Sequence, residues 1–344
     1  MHQSIRADLG FGRVGPSRVL PLSPTIMMSF VASTEGQVID GLITKLRDAG
    51  VIQDVGEARL ITDGMQHLVL VIDDELIARF PRNVDARRAL REEHRVLSHL
   101  SNHVSAPLPQ SVAWTEDFVV YRMLRGEPIT RAALARLDRR RCDRLIDDVA
   151  DFLADMHSAP LPDEILASPA TKPQAAWLAL RDRANQAVTP LLWRHQREWL
   201  ASLFRPIETG ELSFDFAPAM IHGDLGPYHL LHDPSSALLT GILDFGVAGR
   251  GDPAVDLGCL LCVWGERWAN GLVRRYPQLA DLADRARFIA GALPVEWAVI
   301  GLEQDQPDML VAHLGHAAAD LGELGAPFLS AEHTGPPITP RQRP

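Results

Sequence analysis

In the first part of the chain, stretches with apolar residues at every second position alternate with helical ones, and the period of three to four prevails beyond it. A helix is expected over 38–49, where Val38, Leu42, Ile43 and Leu46 fall on one stripe. Strands follow over 59–62, 66–72 and 76–80, punctuated by Asp63-Gly64-Met65 and by Asp73-Asp74. A helix over 86–100 puts Ala89, Glu93, Val96, Leu97 and Leu100 on one face and Arg88, Glu92, Arg95 and His99 on another. Glu93 is therefore a carboxylate on an apolar stripe, and a buried charge needs a partner. A further strand, over 118–124, meets the breakers Arg125-Gly126-Glu127-Pro128. Leu145, Ile146, Val149, Phe152, Leu153 and Met156 then mark a helix closed by His157-Ser158-Ala159-Pro160, with His157 read as a hydrogen-bonded core residue. Further helical stretches are expected over 172–203, 255–264, 279–289 and 295–302.

With 344 residues the chain is long enough for two lobes with their own cores. An apolar content of 46% and a charged content of 23% are ordinary for a soluble globular protein, and no apolar run approaches a transmembrane length. Three cysteines, Cys142, Cys259 and Cys262, offer no disulfide framework, so a reducing cytoplasmic setting is expected. Cys259-x-x-Cys262 lies in an apolar run and reads as a buried helix face. The formal charge is −10; the first 33 residues carry +2, which leaves −12 for the body. Nucleic acid is thereby disfavoured as a partner, and a cationic small molecule is favoured. Residues 288–340 hold no Lys or Arg, while Glu296, Glu303, Asp305, Asp308, Asp320 and Glu323 are acidic, so this segment reads either as a steering surface or as a solvated face.

Residues 1–33 and 334–344 lack periodicity and are expected to be unstructured tails. Met27 and Met28 stand beside Met1 as alternative translation starts, and the apolar run over 26–32 lacks the flanks of a secretory signal.

Candidate chemistry concentrates between Met220 and Leu257. His222-Gly223-Asp224-Leu225 follows a short apolar run, His229 comes next, and 230–243 reads as a hairpin around Asp233-Pro234-Ser235-Ser236. Asp244-Phe245-Gly246 sits at the hairpin's far end. Carboxylates on loops at the ends of adjacent strands can converge on one site. Phosphoryl transfer uses such a pair, one to position the attacking hydroxyl and one to hold Mg²⁺ on the nucleotide phosphates. A metallohydrolase reading of His222, His229, His232, Asp224 and Asp244 competes, but the spacing matches no zincin pattern. Asp252 and Asp256 read as capping or bracing the helix that follows.

The order His-x-Asp-Leu, a ligand residue, then Asp-Phe-Gly matches the protein-kinase template, with Gly223 at the arginine and His229 at the asparagine. With Gly251-Asp252-Pro253 and Asp256-Leu257 downstream, the stretch resembles the aminoglycoside and macrolide phosphotransferase family, kinase-like enzymes that phosphorylate small molecules. Asn is the commoner residue at the position of His229, and macrolide phosphotransferases and aminoglycoside 2″-phosphotransferases are similar to this chain in carrying His there. The resemblance implies a phosphate-binding cation at Arg79, just before Phe80-Pro81, and its ion-pair partner on the next helix; the apolar stripe selects Glu93 over Glu92.

By that resemblance the fold is expected to be α+β, protein-kinase-like and two-lobed, with a small antiparallel-sheet N-lobe and a larger, mostly helical C-lobe. The expected division is a tail over 1–33, a nucleotide-binding lobe over 34–124, a catalytic and acceptor-binding lobe over 125–333, and a tail over 334–344. The resemblance implies Asp224 as the catalytic base, Asp244 and His229 as Mg²⁺ ligands, and Arg79, Glu93, Tyr121 and Met123 as the nucleotide-binding set. A bulky Tyr121 would narrow the adenine slot and favour GTP over ATP. The expected reaction moves the γ-phosphoryl of ATP or GTP to a hydroxyl of a small molecule, an antibiotic favoured by the acidic body. A kinase of a metabolite or nucleoside-type natural product, and a nucleotide-binding protein without catalysis, remain open.

Overall fold

The computed structural model describes residues 24–62 and 66–314. The Asp63-Gly64-Met65 turn, the expected tail at 334–344, and Asp320 and Glu323 lie outside the described residues. Helix α1 (Pro24–Asp48) begins well before 38, so 24–33 is helical, and only 1–23 of the tail expected over 1–33 lies outside the description. A proline suits the first turn, where its missing N–H would be unpaired anyway.

Five strands and a helix make the small lobe: β1 (Ala58–Ile61), β2 (His67–Ile72), β3 (Leu76–Pro81), α2 (Val84–Leu100), β4 (Ser111–Trp114) and β5 (Val119–Arg122). They form one antiparallel sheet in the order β1-β2-β3-β5-β4. Side chains alternate across it. Leu70, Ile72, Ala78, Phe80 and Val120 face a small core completed by Leu42, Ile43 and Leu46 of α1. His67, Val69, Ile77, Arg79 and Tyr121 line the cleft on the opposite face. There Val119 and Tyr121 join a much larger core with Leu90, Val96, Leu97 and Leu100 of α2. Helix α2 starts where the Asn83 side chain accepts from the Ala86 N–H at 2.8 Å.

A short link then leads into the large lobe. Its elements are β6 (Glu127–Pro128), α3 (Arg131–Arg136), α4 (Arg139–Ser158), α5 (Gln174–Ala187), α6 (Arg194–Glu208), β7 (Ala219–Ile221), β8 (Leu230–His232), β9 (Leu239–Ile242), β10 (Gly249–Gly251), α7 (Ala254–Trp264), α8 (Glu266–Arg275), α9 (Ala283–Glu303) and α10 (Asp308–Leu314). The hairpin read from the sequence is β8–β9, with Leu230 opposite Ile242, and β6 flanks it. Strands β7 and β10 pair separately. Two helical expectations are revised. The stretch 172–203 is two helices parted by a 3-10 turn at Thr189–Leu191. Residues 283–303 form one helix that runs through Pro294. An interior proline costs about 3 kcal/mol, and burial of Phe288, Ile289, Val295 and Val299 on α9 offsets it. On α7 Cys259 is buried and Cys262 exposed, so only part of the Cys-x-x-Cys run is a buried face. No described helix is long and apolar enough to cross a membrane.

Candidate active site

Strand β7 is buried along its whole length and leads through His222 and Gly223 to Asp224, which lines the cleft between the lobes. What fixes this loop is Asp256, in the first turn of α7 and fully buried. Its carboxylate accepts the His222 N–H at 3.0 Å, the Gly223 N–H at 2.8 Å and His157 Nε2 at 3.2 Å. Asp256 thus anchors the loop, a correction to its reading as a helix brace; Asp252 does cap α7, accepting the Ala254 N–H at 3.0 Å and pairing with Arg285 at 2.8 Å. Gly223 has φ +84°, and a Cβ there would lie 3.0 Å from Ala170 Cβ, Ser168 Oγ and the Val247 carbonyl. An arginine, as in the protein-kinase template, does not fit that backbone. His222 is neutral, held down by burial: Nε2 donates to the Leu243 carbonyl at 2.9 Å, and Nδ1 faces the Asp224 N–H at 3.3 Å.

Asp244 follows β9 in the left-handed region at φ 63°, a conformation aspartate tolerates better than most residues. His229 lies between the two carboxylates. Its Nδ1 donates to the Asp224 carbonyl at 2.6 Å, which fixes the tautomer, because a carbonyl only accepts. Nε2 then faces Asp244 Oδ2 at 3.8 Å. Asp224 and Asp244 keep about half of their side-chain surface exposed, at 55% and 52%.

On the opposite wall, Arg79 Nη1 meets Glu93 Oε1 at 2.6 Å, and Glu93 is 2% exposed. The pairing chosen from the helix stripe is the one observed. Burial pushes the Glu93 carboxyl up and the guanidinium pulls it back, while the arginine stays charged. Tyr121 lines the same cleft, its hydroxyl buried without a hydrogen-bond partner and its pKa raised by burial. Met123 also lines it, but the Met123 N–H is committed to the Glu75 carbonyl at 2.8 Å and is not free to donate to a base. The cavity between these walls measures about 670 Å³ and takes in Asp224, Asp244, Arg79, Glu93, Tyr121 and Met123 together, with His67 and Leu243.

The sequence model of the phosphotransferase enzyme family matches residues 57–290. This chain belongs to that family. The chain is similar to the uncharacterized protein YcbJ of Bacillus subtilis (strain 168), at 26% identity over 313 residues, 84% of this chain and 97% of that protein. It superposes on the GDP complex of wild-type aminoglycoside 2′-phosphotransferase-IIIa with a TM-score of 0.69, at 23% identity over 81% of this chain and 96% of that one. Macrolide 2′-phosphotransferase MphH from Brachybacterium faecium gives 0.62, at 19% identity over 83% of this chain and 100% of that one. Together with the two-lobed architecture, these likenesses establish the kinase-like fold of this chain.

Three features of its cleft and surroundings escaped the sequence reading. His67 reaches Arg79 from the neighbouring strand, its Nδ1 3.4 Å from Nη2. His232, in the competing metallohydrolase set, is buried with Nδ1 on the Glu127 carbonyl at 2.8 Å. With His222 likewise bound to backbone, that set does not come together as a cluster, and no group of three or more candidate ligands among the described residues is placed to hold a metal. Lastly, the acidic segment is partly neutralised: Glu296 meets Lys172 at 2.6 Å and Glu303 meets Arg183 at 2.6 Å.

Proposed function

We propose that this protein moves the γ-phosphoryl of ATP or GTP onto a hydroxyl of a small molecule, and that an antibiotic of macrolide or aminoglycoside type is its acceptor. The observation that carries this reading is one cleft with Asp224 and Asp244 on one wall and the Arg79–Glu93 pair on the other. Asp224 accepts the hydrogen bond of the attacking hydroxyl, orients it and takes its proton. Arg79, fixed by Glu93, neutralises charge on the phosphates. Tyr121 and the Met123 side chain pack against the base.

Mg²⁺ is part of this reading, and the donors fit it. Asp244 offers the hard oxygen that Mg²⁺ prefers, and His229 Nε2 lies 3.8 Å from that carboxylate, near enough for the two side chains to share one cation. A site this sparse suits an ion that keeps waters and phosphate oxygens as its other ligands. Bound there, the ion would neutralise charge on the β- and γ-phosphates.

A second reading, a kinase of a metabolite or nucleoside-type natural product, gains from the Lys172–Glu296 and Arg183–Glu303 pairs. These pairs take up carboxylates expected to greet a cationic acceptor. Cys142, Cys259 and Cys262 are all free, in keeping with a cytoplasmic setting. The deciding experiment incubates the protein with Mg²⁺, ATP or GTP and a panel of aminoglycosides, macrolides and nucleoside antibiotics, and looks by mass for one added phosphoryl group. No product from any drug, beside nucleotide hydrolysis that Asp224→Ala abolishes, would move the reading to metabolites. GTP is expected to outperform ATP because Tyr121 fills the back of the slot; equal or better use of ATP would remove that expectation.

A further inference from the structure

Arg79 is an arginine where an ammonium would serve a single carboxylate, and the difference lies in geometry. A guanidinium presents two terminal amines in a fixed fork. Glu93 takes only one of them, Nη1 at 2.6 Å. The side chain is 18% exposed at the edge of the cleft, so one ion pair leaves the plane of the fork free to turn about the Nη1 contact. His67 meets the other amine, with Nδ1 3.4 Å from Nη2.

The sheet places it there. In the β2–β3 register Val69 is opposite Arg79 and His67 opposite Pro81, so His67 is the diagonal neighbour of Arg79 on the same face. The ring is only 6% exposed. A guanidinium cannot accept a hydrogen bond, so Nδ1 must be the unprotonated nitrogen and Nε2 carries the proton. Nε2 is buried and makes no hydrogen bond. Arg79 and Asp244 are the charged groups that act on the ring, and burial together with Arg79 keeps it neutral, its pKa pushed down to about 4.

We infer that His67 is a positioning residue for Arg79: its Nδ1 is the sheet-side acceptor that, with Glu93 on the helix side, sets the plane of the guanidinium facing the phosphates. The inference rests on the reading of the cleft as a nucleoside triphosphate site. Its signature is specific to arginine, because a lysine ammonium has no fork to orient.

The test titrates fluorescently labelled ATP and GTP into the wild type, His67→Phe, His67→Asn, Arg79→Lys and the double variant His67→Phe/Arg79→Lys. Loss of one long hydrogen bond, of the ordinary rather than the charge-assisted strength, predicts a nucleotide Kd raised about three- to tenfold in His67→Phe. His67→Asn, whose Oδ1 can replace Nδ1 as acceptor, is expected to stay within about twofold of the wild type, and adding His67→Phe to Arg79→Lys is expected to change Kd less than about twofold. Wild-type affinity in His67→Phe, or losses that multiply in the double variant, would overturn the inference. Nitrogen NMR of the wild-type imidazole needs no variant and guards against one that fails to fold: the proton is expected on Nε2, and a proton on Nδ1 overturns the assignment. A wild type that binds neither nucleotide would instead overturn the reading of the cleft.

Discussion

Replacing Asp256 with asparagine should separate the geometry of the catalytic loop from nucleotide binding. In the native protein Oδ2 accepts the His222 N–H and His157 Nε2, and Oδ1 accepts the Gly223 N–H. Asparagine keeps one oxygen. With its oxygen in the Oδ2 place, its amide points a donor at the Gly223 N–H; flipped, it loses the other two partners. At least one donor is left unsatisfied at a fully buried site, which costs about 1–3 kcal/mol, and the surviving bonds lose charge assistance worth about 1 kcal/mol. Asp256→Asn is therefore expected to destabilise the protein by roughly 2–4 kcal/mol. Asp224 is carried on the same loop, and a displacement near 1 Å at a reacting group costs on the order of 10² in rate. Urea denaturation should show the first effect and steady-state phosphorylation of the accepted substrate the second. Nucleotide Kd should stay near the wild-type value, because Arg79, Glu93 and Tyr121 belong to the other lobe. A variant with native kcat and native stability would refute the reasoning, since the three hydrogen bonds would then hold nothing in place.

Asp224→Ala should lower kcat by about 10²- to 10⁴-fold with nucleotide binding intact; undiminished turnover in a kinetic assay would remove Asp224 as the base. Gly223→Ala forces a side chain into the left-handed region at a cost of about 1–2 kcal/mol, beside a Cβ contact of 3.0 Å to the Val247 carbonyl, so both melting temperature and kcat should fall, and an unchanged melting curve would contradict the strain. His67 has its pKa lowered from 6.5 to about 4 in the folded protein, so its neutral form supports the fold above pH 6.5, and that support drains away as pH falls through 6.5 toward 4. Up to about 3 kcal/mol is involved; denaturation at pH 7 and pH 4.5 should show a smaller loss in His67→Phe than in the wild type, and identical losses would contradict it.

Much of the cleft was legible because its residues carry local signatures. Glu93 announced itself as a charge on an apolar helix stripe, and the β8–β9 hairpin as two apolar runs around a turn. Asp256 did not, because its partners His222 and His157 lie far away in sequence and nothing near Asp256 records them. His67 was hidden for the same reason: its contact with Arg79 depends on strand register, which alternation alone does not set. Strands of two or three residues, such as β6, β7 and β10, are too short to have a period. At Pro294 a local helix-breaking signal gave way to burial along most of α9.

Strand β5 carries one more implication. Its successive residues Val119, Val120 and Tyr121 point alternately into the large core and the small one, so a single strand is the partition between two hydrophobic compartments of very different size. The outer compartment can loosen around α1 while the cleft side of the same strand stays backed by α2 and the helical lobe. Amide exchange should therefore release α1 and the outer edge of the sheet before β5. A Val120 substitution would be felt mainly as thermal softening of that outer layer, and a Tyr121 substitution as a change in what the cleft holds.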